Sequence, residues 1–193
     1  MISGMRDKAI LQRILTVAIV VVSLFCGATD FPWYVGASGG MLLPGSGNSL
    51  RRAGEVSARV GCYTSDFLAW EVEGLCAPNA SSRMGHCCLS GAAGYGLYHL
   101  SGFDAFDKLF GCERFDPFVT LGVMSRFGSR HVFAEGGHRT STGPVAGIGA
   151  FYHLTESLDL RFDARAMLGI DSPCGILYSA VVGLQWNFGG GGE

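Results

Sequence analysis

The chain has 193 residues, of which 48% are hydrophobic and only 16% charged, against roughly 25% charged in ordinary soluble domains; that is room for one domain. Its net charge of −2 is spread without blocks of like sign, so nothing predicts a nucleic-acid partner. Glycine is in excess at 30 residues. The glycines interrupt apolar segments without a collagen period, which disfavours helices.

The first stretch, MISGMRDKAILQR, sets Arg6, Lys8 and Arg13 against the single acid Asp7. Thirteen uncharged residues, Ile14 to Cys26, follow it. That length suits the apolar core of a secretory signal and falls short of the ~20 residues a membrane-spanning helix needs. The small residue Ala28 places cleavage after position 28. Lipidation at Cys26 is disfavoured by the bulky Phe25 before it, and an uncleaved anchor is the other alternative. The predicted organisation is a signal peptide over 1–28, a β-barrel over 29–188 and a Gly-rich tail over 189–193.

Beyond the signal the recurrent pattern is period two, the strand signature. Eight strands are predicted: Trp33–Leu43, Glu55–Tyr63, Phe67–Cys76, Ala93–Ser101, Pro117–Phe127, Pro144–His153, Ser157–Leu168 and Gly175–Phe188. In the third, Leu68, Trp70, Val72 and Cys76 share a face opposite Ala69, Glu71 and Glu73. In the seventh, Leu158, Leu160, Phe162, Ala164 and Ala166 alternate with Asp159, Arg161, Asp163 and Arg165. The eighth sets Tyr178, Val182, Leu184, Trp186 and Phe188 against Ser179, Gly183, Gln185 and Asn187. The connections after strands two and six are tight, TSD and LTE. Those after strands one, three and five are long and polar, and GFDAFDKLFGCERFD after strand four reads as a decorated turn on the short-turn side.

TGPVAGIGAFYHL, Thr142 to Leu154, matches the T-G-x-x-x-G-x-G pattern of a nucleotide-binding turn letter for letter. Such a turn needs a strand before it and a helix after it. The residues that follow are a hairpin pattern, and no Tyr-x-x-x-Lys occurs in the chain. Gly143 is predicted in a loop. Gly147 and Gly149 are predicted on the inner face of a narrow barrel, where small residues make space beside large ones.

Two architectures use strands with one apolar face: a soluble sandwich or lipocalin-like barrel with that face inward, and a membrane barrel with it outward. Four features favour the membrane: the export signal, strands long enough to cross tilted, mixed charges on the opposite face, and aromatics near strand ends. The last are Trp33, Tyr34, Phe67, Trp70, Phe127, Tyr152, Trp186 and Phe188, which suit an interfacial girdle. From WYVGASGGMLL through YTSDFLAWEVE and FDPFVTLGVM to GLQWNF, residues 31 to 188 resemble the OmpA-like family of eight-stranded outer membrane β-barrel proteins. The resemblance is a pattern of strands and turns. It implies an all-β, antiparallel up-and-down barrel in a Gram-negative-type outer membrane, surrounded by lipid and inserted by the barrel-assembly machinery. It implies a terminal aromatic, here Phe188, as the assembly signal, and no single biochemical activity or cofactor.

An eight-stranded barrel is just wide enough for side chains to fill it. Glu71, Glu73, Arg126, Asp159, Arg161, Asp163 and Arg165 are the predicted inner polar network, with His99 and His153 as further candidates. A structural polar plug is favoured over a gated ion path, because charges there persist only when paired. A small lipid A-modifying hydrolase is the enzymatic alternative, with His153, Glu156 and Ser157 as its compact candidate set. Cleavage leaves six of seven cysteines: Cys62, Cys76, Cys87, Cys88, Cys112 and Cys174. An even number in an exported chain favours disulfides over thiols or a metal site. Pairing is predicted to segregate by barrel end: Cys62 with Cys112, and two bridges among the other four.

Overall fold

The computed structural model describes residues 32–45, 50–82, 85–101, 114–128, 140–169 and 175–188. The signal segment 1–28, the tail 189–193, Cys112, Cys174 and the decorated turn after strand four (102–113) lie outside the described residues. Eight strands run in chain order: β1 Trp33–Pro44, β2 Ala53–Ser65, β3 Leu68–Ser82, β4 Gly85–His99, β5 Phe115–Gly128, β6 Thr140–His153, β7 Leu158–Leu168 and β8 Ile176–Phe188. Each pairs antiparallel with its neighbours, and β8 returns to β1, so the sheet closes as a barrel with no free edge. The closing register sets Trp33 beside Phe188, whose rings stack at 4.2 Å between centroids.

The up-and-down order puts the β1–β2, β3–β4, β5–β6 and β7–β8 connections at one end, the loop end. The β2–β3, β4–β5 and β6–β7 connections share the opposite, turn end, where β1 begins and β8 finishes.

Two of the expected boundaries need correction. APNASSRMGHCCLSGAA is a hairpin extension and not a loop, because β3 and β4 run 15 residues each. Ala77, Ala80, Cys87 and Leu89 alternate inward and are buried there, which gives the extension a packed face. The register slips by one residue between Ala77 and Ala80, a β-bulge that accommodates Pro78. The second correction is Gly143, which lies inside β6. A Cβ at Gly143 would stand 1.7 Å from the Leu168 carbonyl oxygen, so the close approach of β7 requires glycine.

Polarity is inverted relative to a water-soluble barrel. Outward positions include Leu121, Val123 and Ile148, which are 65, 57 and 66% exposed, together with Phe162, Val182 and Leu184. Trp33, Trp70, Tyr98, Tyr152 and Trp186 form an exposed aromatic belt near the turn end. Tyr34, expected in that girdle, is instead completely buried in the lumen. The parity of β1 decides this, since Trp33 and Val35 take the outward positions on either side.

Candidate functional site

The lumen is built in layers. Toward the turn end, Tyr34, Tyr63, His99, Phe118 and Phe151 pack as a chain of rings, with Phe118 and Phe151 at 4.7 Å and His99 stacked on Phe151 at 5.6 Å. Toward the loop end, Leu42, Leu75, Leu89, Met124, Met167 and Leu177 fill the bore. Between them lies a charged layer that period-two alternation forces inward from β2, β3 and β7.

That layer sets three arginines against three acids. The Arg161 guanidinium donates to Glu71 Oε2 at 2.5 Å and, through Nε, to Asp163 Oδ2 at 2.9 Å. It also sits over the Phe118 and Phe151 rings at 4.9 and 5.1 Å, adding cation–π attraction. Arg165 forms a forked pair with Glu73 and donates to the Tyr95 hydroxyl at 2.7 Å. Arg59 donates to Asp163 at 2.8 Å and to Ser38, and lies 3.4 Å from Glu73. Tyr34 and Tyr95 donate to Glu71 and Glu73 at 3.0 and 2.9 Å. These six charged side chains are at most 2% exposed, so each depends on its partners to offset desolvation.

The other expected members lie at the two mouths of the lumen. Arg126 stands 2.8 Å from Glu55 at the loop side, an ion pair without hydrogen-bond alignment. Asp159, at the turn side, accepts from Asn187 at 2.6 Å and pairs with His153 at 2.7 Å. His99 pairs with Asp116 at 2.5 Å. The seven expected residues are therefore all buried and inward-facing, but as a central cluster and two flanking pairs.

Sequence reasoning missed Glu55, Arg59, Tyr34 and Tyr95. The signal for the first two was present in AGEVSARVGCY, where Glu55, Ser57, Arg59 and Gly61 alternate with Val56, Ala58, Val60 and Cys62. The candidate hydrolase set is not assembled as expected, since the acid beside His153 Nδ1 is Asp159 and not Glu156.

The glycines of TGPVAGIG serve this layer. A Cβ on Gly147 would stand 2.6 Å from Arg165 Cγ, and one on Gly149 would stand 2.3 Å from Phe118 Cζ. Both face inward and make room for the neighbouring side chains.

Phe188 lies on the outer wall against Trp33. Among the cysteines, Cys76 and Cys88 bring their sulfurs to 3.8 Å on the outer side of the hairpin, a contact and not a bond. Cys87 is buried on the inner side, its thiol directed to the Ala80 carbonyl at 3.4 Å. Cys62 is buried between its cross-strand neighbours Trp33 and Trp70 at the turn end.

No protein-family model matches the chain, and no curated protein matches its sequence. Solved structures match its fold. Neisserial surface protein A superposes with a TM-score of 0.59 at 15% identity, covering 83% of this chain and 98% of that one. A major outer membrane protein from Thermus thermophilus gives 0.52 at 12% identity, covering 82% and 99%. The attachment invasion locus protein Ail of Yersinia pestis gives 0.51 at 8% identity, covering 82% and 97%. The chain has the closed eight-stranded antiparallel fold of outer membrane β-barrels.

Proposed function

We propose that this chain is an exported outer membrane β-barrel with a side-chain-filled lumen, acting without enzymatic chemistry through the surface at its loop end. The inverted polarity carries this reading. A belt of exposed aliphatic and aromatic side chains surrounds a lumen holding Arg59, Glu71, Glu73, Arg161, Asp163 and Arg165. In water, a continuous apolar wall of that kind is an aggregation surface; in a bilayer it is the solvated face, and the aromatic belt falls where the interface is wetted. A lipocalin-like periplasmic barrel would need the opposite arrangement.

The paired charges favour a structural plug over an ion path, because each fork ties β7 to β2 or β3 across the bore. Phe188, at the seam that closes the barrel, suits the terminal aromatic read by the assembly machinery. The surface role is proposed from topology. Four connections converge at one end of a rigid scaffold, where binding residues commonly reside. Neisserial surface protein A and Ail bear names of the same kind, which makes a surface-contact role the first to examine.

Fractionation of cells expressing the full chain, followed by gels of unboiled and boiled samples, tests the reading. We expect outer-membrane recovery and a compact, faster-running form that disappears on boiling. A soluble periplasmic species would overturn it.

A further inference from the structure

We propose that Cys76 and Cys88 form a disulfide that staples the β3–β4 hairpin at the rim of the barrel, and that Cys87 takes no part in it. The two residues lie twelve apart in the chain, with Sγ atoms 3.8 Å apart. Cys76 faces Ser90 across the ladder, so Cys88 is its diagonal neighbour on the same outer face. A side-chain rotation that closes the gap to ~2.05 Å completes the bond. Cys87, one residue away, points to the opposite face and is buried against Ala80, so strand parity separates the two neighbours.

The position gives the bridge a purpose. Cys76 is the last residue of β3 registered on β2, opposite Val56, and Leu89 is the last of β4 registered on β5. Beyond that rung the continuous register with β2 and β5 stops, although the Arg51 backbone N–H still donates to the Ser81 carbonyl at 2.7 Å, and the bulge at Ala77 to Ala80 follows immediately. A bulge weakens the ladder locally. A covalent link beside it holds the two strands together at the point where the continuous register with β2 and β5 ends. Cys88 is exposed, so an oxidant can reach it.

The step is a two-electron oxidation. Both thiols lose their protons, one S–S bond forms, and the electron pair passes to the disulfide of a thiol–disulfide oxidoreductase, which leaves as its dithiol. In the cell this rests on the proposed export to an oxidising compartment; the test does not. The full chain is refolded in detergent with oxidised glutathione, its fold is checked by heat-modifiable mobility, and non-reduced tryptic peptides are mapped. Cleavage at Arg83 separates Cys76 from Cys87 and Cys88, so the bridge appears as peptide 60–83 linked to peptide 84–108. We expect that link to persist in Cys62→Ser and Cys87→Ser and to vanish in Cys76→Ser and Cys88→Ser. Persistence in Cys88→Ser, loss in Cys87→Ser, or reduced thiols in a heat-modifiable, glutathione-treated protein would overturn the proposal. Loss of the heat-modifiable form itself would count against the barrel reading.

Discussion

Glu71 and Arg161 are 90 residues apart in the chain, yet they meet inside the barrel at 2.5 Å, joining β3 to β7 across the bore. Both are buried, and among the described residues Arg161 keeps Asp163 as its one acidic partner if Glu71 is lost. Removing one member of a buried pair strands the other, a loss of about 3–5 kcal/mol. Glu71→Ala should therefore lower stability by that order in urea unfolding from lipid vesicles. Glu71→Gln, which keeps an acceptor for Arg161 and for Tyr34, should lose less. Equal stability of Glu71→Ala and the parent protein would mean that the pair contributes nothing.

Gly149 and Gly94 offer a matched contrast. A Cβ at Gly149 meets the Phe118 ring, whereas at Gly94 nothing lies within 4 Å. Gly149→Val should destabilise by about 1–3 kcal/mol through overpacking, and Gly94→Ala should be close to neutral. Unfolding midpoints of the two variants check this; similar losses at both would remove the space-making role of Gly149.

Alternation made the fold legible where each strand was polar on one face, as in SLDLRFDARAML, whose inward Asp159, Arg161, Asp163 and Arg165 all reach the lumen. It failed where residue chemistry and location disagreed. Tyr34 suited a girdle, but its ring fills the bore beside Gly61, where a Cβ would lie 2.3 Å from it. The β3–β4 extension looked like a loop because Pro78, Asn79 and Gly85 are turn residues, but a bulge absorbs the first two and Gly85 pairs with Ser82. The partners within the charged layer were illegible for a different reason. Which acid meets which arginine depends on stagger around the closed barrel, and local spacing carries no record of it.

Phe188 separates packing from assembly. Its stack on Trp33 is worth about 0.5–1.5 kcal/mol beyond its buried area, so Phe188→Ala should refold into detergent with a modest loss of stability. In cells, an assembly signal predicts a much larger drop in the heat-modifiable outer-membrane fraction. Parallel, modest losses in both settings would leave Phe188 as a packing residue only.

The connection between β3 and β4 is an informative place for an epitope tag, because the topology puts it at the loop end. A tag there should be accessible to antibody on intact cells, as should one placed in the β1–β2 connection. Labelling only after permeabilisation would place the loop end on the periplasmic side and count against the proposed surface role.

Val182 lies opposite Phe162 near the middle of the outer wall. Val182→Arg should cost about 2–4 kcal/mol in vesicles if that level is the bilayer midplane. Unfolding titrations measure it, and parental stability would place Val182 away from the hydrocarbon.

The chain's three tryptophans report whether the apolar wall faces lipid or water. Trp33, Trp70 and Trp186 are all exposed on the outer wall, so lipid should be their solvent. Reconstitution into vesicles whose acyl chains carry bromine should quench the tryptophan emission strongly, while aqueous iodide leaves it largely intact. Emission quenched by iodide and insensitive to brominated lipid would overturn the membrane-barrel reading, because the apolar wall would then face water.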